Sequence, residues 1–282
     1  MNQHINSIAH RLSLRTPQRD SLEILARVCE IVNLDKNTNA QEQLELIKSE
    51  FPTVESFERD FPSLCFALAT GVGKTRLMVA FITYLHRVEQ VQHFFVLAPN
   101  LTIYRKLIAD FTPNNPKYVF QGINEFAIKP PLIITQDDFE SGKGVRRDGV
   151  ERSGQRLLFD DDPVHINIFN ISKINTEVRG DNIPRFKRLN EYIGDSYFSY
   201  LSGLDDLVLL MDESHRYRGS QGIKAINELR PILGLELTAT PQIENGKKTE
   251  KFKNCIYSYP LTNALTDDYL TLPLIPCLDS VP

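Results

Sequence analysis

Six short apolar runs punctuate the chain: "SLCFALA", "HFFVLA", "PLIIT", "HINIFNI", "DLVLLM" and "GLELTA". Each has the length and composition of a buried strand. Helical spacing lies between several of them. After Thr75, the residues Leu77, Ala80, Phe81, Tyr84 and Leu85 share one helix face. Phe186, Leu189 and Ile193 mark a second helix, and Ile223, Ile226 and Leu229 a third. Ahead of the first run, Leu22, Leu25, Ala26, Cys29 and Val32 predict a helix over 19–34, with Pro17 just before it. Residues 35–60 are polar and mixed, with a short helix expected at "AQEQLELIKSE".

Strands that alternate with helices predict an α/β fold, a mainly parallel central sheet flanked by helices. A helical segment over 1–60 precedes the sheet-bearing lobe at 61–260, and 261–282 form a tail. Residues 140–163 are dominated by glycine and charge and read as an exposed insertion. Its Lys143, Arg146, Arg147, Arg152 and Arg156 could meet phosphates, but such a cluster is more often a solvated loop.

Composition narrows the classes. The 282 residues, 41% hydrophobic and 24% charged, suit one large soluble domain with appendages. No apolar run reaches the roughly 18 residues of a membrane span. The start "MNQHINSIAHRLSL" has no basic-then-apolar export pattern, so a cytoplasmic protein without a membrane partner is expected. Cys29, Cys65, Cys255 and Cys277 form no CxxC pair and no metal spacing, and read as buried free thiols. With a net charge of −4, any nucleic-acid partner would need a local basic face.

The first candidate chemistry is "ALATGVGKT", Ala67 to Thr75, between a strand and a helix. Gly71 and Gly73 allow close backbone approach, so the N–H groups of Ala69, Thr70, Gly71, Val72 and Gly73 can converge on phosphate oxygens at a helix N-terminus. Lys74 would reach the β- and γ-phosphates, and the Thr75 hydroxyl would ligate Mg²⁺. Leu68 stands where the strict G-x-x-x-x-G-K-[ST] pattern has its first glycine; the G-x-G-K-T core is intact. The alternative is an accidental glycine turn, and a small-molecule kinase could carry the same loop.

"LVLLMDESHRYRG" supplies a second piece. Its strand ends in Asp212 and Glu213, and ligands of parallel sheets bind at the carboxyl ends of strands. Asp212 could hold the Mg²⁺ shell and Glu213 could polarise a water. A kinase has no need of the second acid. In "ELTATPQ", Thr238 and Thr240 end another apolar run. On its own that segment is a plain strand entering a proline turn.

The order G-x-G-K-T, D-E-S-H, T-A-T-P resembles superfamily 2 DEAD/DEAH-box helicases and translocases. Within them it resembles the motor (res) subunits of type III restriction enzymes. "VLAPNLTIYRKLI" looks like their motif Ia, "FNISK" lies where the next DNA-contact motif falls, and "RTPQRDSLEIL" is similar to the Q-motif. The resemblance covers roughly 15–260. It implies a RecA-like first lobe, a P-loop ATP hydrolase with ATP and Mg²⁺ as ligands, and movement along DNA, with RNA left open. It implies that Gln18 reads the adenine edge and that His215 couples the ATP site to Thr238 and Thr240. It also implies that Pro99, Asn100, Leu101 and Ser172 lie near a strand's phosphates.

Such motors have a second lobe that supplies arginines across the cleft. Too few residues follow Pro241 for one, and no arginine follows Arg230. The expectation is therefore the first lobe of a restriction or phage-defence helicase, with the second lobe absent from this sequence and supplied by a protein partner or a downstream gene product. The rival is a catalytically inert nucleotide- or DNA-binding module that acts with a partner.

Overall fold

The computed structural model describes residues 2–139, 143, 163–171, 189–190, 195–218, 220–245 and 248–269. The helical start comprises α1 (Gln3–Arg11), α2 (Thr16–Ile31) and α3 (Ala40–Glu50). There follow β1 (Ser63–Leu68), α4 (Lys74–Glu89), β2 (His93–Ala98), α5 (Leu101–Phe111), α6 (Asn124–Ile128), β3 (Leu132–Thr135) and β4 (His165–Asn170). Next come β5 (Leu189–Asn190), β6 (Asp195–Ser196), α7 (Tyr197–Gly203), β7 (Leu207–Asp212) and α8 (Ser220–Glu228). The order closes with β8 (Leu233–Thr238), β9 (Gln242–Asn245), β10 (Lys248–Lys251), β11 (Cys255–Tyr259) and α9 (Leu261–Thr266).

Seven strands form one sheet in the order β11-β1-β8-β7-β2-β4-β3, and every pairing in it is parallel. The apolar runs follow from helices on both faces. Phe94, Val96, Val208 and Leu210 pack into a core shared with α1, α2 and α4. The intervening Phe95, Leu97, Leu209 and Met211 pack on the other side with Tyr197, Leu201 and Ile226. A strand buried on both faces leaves no room for alternation. The N-terminal helices belong to the first of these cores: Ile5, Ile8, Leu22 and Leu25 are all buried in it.

All six expected strands are present within a residue or two of their expected ends. Two readings change. Leu189 lies in β5, which pairs antiparallel with β6, not in a helix; Phe186 and Ile193 lie outside the described residues. Three apolar positions fix no period when local strand pairing can satisfy the backbone instead. Conversely, β11 had no strong apolar run. "CIYSY" mixes polar and aromatic residues because it is an edge strand with one neighbour. Nearly all of the insertion 140–163 and the tail from 270 onward also lie outside the described residues. Among those described, no helix is long and apolar enough to cross a membrane.

Candidate functional site

The parallel sheet brings the carboxyl ends of β1, β7, β8 and β2 to one edge, where most of the sequence candidates meet. From β1 the chain enters the loop Ala69–Gly73, and Gly73 caps α4. Gly71 has φ 86° and Gly73 φ 101°, both left-handed, so side chains are strained there. Gly73 has a second reason to lack a side chain: a Cβ would lie 2.5 Å from Nε2 of Gln18.

Gln18 is therefore placed under the loop, 1% exposed. Its Nε2 donates to the Gly73 carbonyl at 2.8 Å, and its Oε1 accepts from the Arg15 backbone N–H at 2.8 Å. Arg15 Nη1 donates to the Gly71 carbonyl at 3.0 Å. Two residues at the start of α2 thus fasten two loop carbonyls, and of the loop N–H groups those of Ala69 and Val72 are bonded internally, to the Tyr259 carbonyl at 3.0 Å and the Ala69 carbonyl at 3.3 Å.

Lys74 crosses to the acidic strand end, where its Nζ is 3.1 Å from Oε1 of Glu213. Glu213 sits in left-handed backbone at φ 50° as β7 turns into a 3-10 turn, Ser214–Tyr217. Beside it, Asp212 is 9% exposed, and its Oδ1 is buried with no hydrogen-bond partner among the described residues. Burial, reinforced by the Glu213 charge, pushes the Asp212 carboxyl up to about 6. The Tyr217 hydroxyl shares its one proton between the Asp212 carbonyl at 2.7 Å and that of Leu97 at 3.1 Å, pinning β7 to β2.

His215 joins the acidic turn to the end of β8. Its Nδ1 is 2.9 Å from the Thr238 hydroxyl and 3.2 Å from that of Thr240. Oε2 of Glu213 lies 3.6 Å from the same nitrogen. Burial lowers the imidazole pKa despite Glu213, which keeps the ring neutral at pH 7. Thr75 follows Lys74, and its hydroxyl accepts from Lys106 Nζ of α5 at 3.3 Å. Sequence reasoning missed Lys106: its segment carried a motif resemblance and nothing marked this position.

The strand-contact candidates stand apart. Pro99 and Asn100 are half-buried beyond β2, and Leu101 is half exposed. The Asn100 side chain accepts from the Ile103 N–H at 2.9 Å, a helix cap. Ser172 lies outside the described residues.

Also missed was a buried ion cluster next to the site. Glu236 of β8 is fully buried. Its Oε1 accepts from Ser63 at 2.8 Å, Asn254 at 3.1 Å and Arg59 at 3.4 Å. Its Oε2 accepts from Arg218 at 2.5 Å. Arg218 also pairs with Glu58 at 2.5 Å and stacks on Phe252, 3.8 Å from the ring centroid. The available signal was a lone acid inside the apolar run "LGLELT".

The loop and strand end suit a nucleotide phosphate and a divalent cation: a glycine turn at a helix N-terminus, a lysine, a hydroxyl and a carboxylate oxygen with no partner among the described residues. The family described as type III restriction enzyme, res subunit, matches residues 12–243. No curated protein matches the chain. Among solved structures, the Sulfolobus solfataricus SWI2/SNF2 ATPase core in complex with dsDNA is similar at 15% identity and a TM-score of 0.35, covering 75% of this chain and 33% of that one. A variant of S. cerevisiae Dbp5 bound to RNA and ADP BeF3 is similar at 15% identity and a TM-score of 0.34, covering 81% of this chain and 45% of that one. The chain thus spans under half the length of either.

Proposed function

The chain belongs to the family of type III restriction enzyme res subunits, and from that premise we propose that it is the ATP-binding first lobe of a DNA-dependent helicase or translocase of a restriction or phage-defence system. The observation that carries the proposal is the meeting of the glycine loop with the acidic strand end through the Lys74–Glu213 contact of 3.1 Å.

Bound Mg²⁺·ATP would supply the reacting phosphorus and a metal that neutralises phosphate charge. The chain's own residues do the rest. The N–H groups of Thr70, Gly71 and Gly73, with Ala69 and Val72 shaping the loop between them, and the Lys74 ammonium would hold phosphate oxygens. Thr75 Oγ1 and the Asp212 carboxylate are the donors that hold the metal. Glu213 orients water once Lys74 has turned from it to the phosphates, so nucleotide binding and release of the water-orienting acid are one event. His215, neutral and tied to Thr238 and Thr240, passes movement of the acidic turn to the end of β8. Pro99, Asn100, Leu101 and Ser172 track the strand, with DNA favoured by the family and RNA the alternative.

Cationic help for the charge that grows on the phosphoryl group would come from across the cleft, from a second lobe or another chain, as in related phosphoryl-transfer systems. An arginine so placed contributes about 10³ to 10⁵ in rate in those systems. The test is calorimetry with Mg²⁺·ATP, followed by steady-state hydrolysis with and without single-stranded and duplex DNA. Binding with negligible turnover is expected of this chain alone. Absent binding sinks the reading, and fast turnover abolished by Glu213→Gln sinks the need for outside help.

A further inference from the structure

Two of the scattered cysteines meet in the fold. Cys65 of β1 and Cys255 of β11 are register partners in adjacent parallel strands. Neighbouring strands lie about 4.8 Å apart, inside the roughly 4.4–6.8 Å between Cα atoms that a disulfide spans. The register shifts between Cys65 and Phe66, so Cys255 stands at the irregular start of the pairing. The two thiols are unequal. Cys65 is fully buried, whereas Cys255 is partly exposed on the edge strand, with its thiol 3.4 Å from the Tyr257 carbonyl.

We propose that Cys65 and Cys255 are a redox modification site, a dithiol pair at the sheet edge that small disulfides such as oxidised glutathione convert to a reversible bridge. Cys255 is the attacking thiol, because it is the one a reagent can reach. Its contact with Cys65 lowers its pKa, while burial raises that of Cys65. The Cys255 thiolate attacks one sulfur of glutathione disulfide, forms a mixed disulfide and expels a glutathione thiolate, which takes up the proton Cys255 lost. Cys65 then attacks Sγ of Cys255, losing its own proton to the second glutathione as that leaves. Two protein thiols are oxidised, and one glutathione disulfide is reduced to two glutathiones. The bridge would join the two strands that meet at the root of the phosphate loop, where the Ala69 N–H donates to the Tyr259 carbonyl at 3.0 Å.

The other described cysteine, Cys29, has a thiol raised by burial and serves as an internal control. The full chain is equilibrated in a series of glutathione and glutathione-disulfide mixtures, acid-quenched, alkylated, and mapped by peptide mass spectrometry. The expected result is a Cys65–Cys255 linked peptide, lost on dithiothreitol treatment, with Cys29 still alkylated. Cys65→Ser should stop at a glutathione adduct on Cys255, and Cys255→Ser should leave Cys65 reduced. A stable glutathione adduct on Cys255 of the unaltered chain without the link overturns the proposal. So does a link that forms only in urea.

Discussion

Asp212 and Glu236 are both buried carboxyl groups, on neighbouring strands of one sheet, yet their pKa values are shifted in opposite directions. In the β7–β8 register, Asp212 faces Leu237 and Glu236 faces Met211, so they sit one residue out of step. Glu236 has both oxygens occupied. Burial alone would raise its pKa, but the Arg59 and Arg218 charges outweigh it and hold the group below the usual carboxylate range. At Asp212, burial and the Glu213 charge outweigh the pull of Lys74 and Lys106 and a hydrogen bond from the Glu213 backbone. The same strand chemistry thus makes one acid a fastening and the other a ligand donor. What decides is whether the protein supplies the counter-charge itself or leaves an oxygen for something else.

The largest effect should come from breaking the fastened acid. Arg218→Met leaves Glu236 buried without its closest cation, and Glu58 without its partner. Removal of one member of a buried pair costs about 3–5 kcal/mol. Urea unfolding followed by circular dichroism measures it. Asp212→Asn, with nearly the same shape, should move the other way. An acid held near 6 instead of 3.8 is disfavoured as the carboxylate by roughly 3 kcal/mol at neutral pH. In metal-free buffer Asp212→Asn should therefore be at least as stable as the unaltered chain. If both variants lose stability alike, the contrast between the two acids fails.

Acid sharpens the same contrast. The native pKa of Glu236 lies below its unfolded value, so its stabilisation is present above the unfolded pKa and is lost as pH falls through the native one. Asp212 has the reverse sign: its native pKa is raised, so its cost sets in as pH rises from about 4 to 6. Unfolding curves between pH 3 and 7 should show the gap between Glu236→Gln and the unaltered chain narrowing in acid. For Asp212→Asn the gap should widen toward neutrality. Parallel curves would refute the assignment.

Lys74→Ala tests the donor side directly. It removes a charge-assisted contact, and Mg²⁺·ATP binding should weaken by about 1.5–3 kcal/mol. Calorimetry reads this, and equal affinities would remove the phosphate loop from the functional reading.

The two acids were not equally legible. Asp212 and Glu213 stand out in sequence because they end an apolar run, and chemistry at strand ends has a known place in parallel sheets. Lys74, Thr75, His215, Thr238 and Thr240 were visible for similar reasons, and the fold brings them together. Glu236 was passed over inside "ELTATPQ", because its partners Arg59, Ser63, Arg218 and Asn254 come from three distant segments. Long-range pairing leaves no local period to read. The strands of the core were legible for the opposite reason: burial on both faces writes itself as a continuous apolar run. The edge strand β11, with a single neighbour, writes no such run, and its pairing of Cys255 with Cys65 was equally out of reach.

A third buried polar group, Gln18, is neutral and so should show the smallest effect. Its amide joins the Arg15 N–H to the Gly73 carbonyl. Each neutral hydrogen bond contributes about 0.5–1.5 kcal/mol, so Gln18→Ala should cost about 1–3 kcal/mol in stability, less than Arg218→Met. Its effect on ligands separates two roles. A brace for the loop serves any nucleotide triphosphate, so ATP and GTP binding would weaken equally. A group that meets the base discriminates, and the amide still has one hydrogen and one lone pair beyond the bonds to Arg15 and Gly73. The family resemblance favours the second role, so ATP should lose more than GTP. Competition titrations with both nucleotides on the two forms decide it. An unchanged ratio would leave Gln18 as the neutral counterpart of Glu236, a fastening and not a reader.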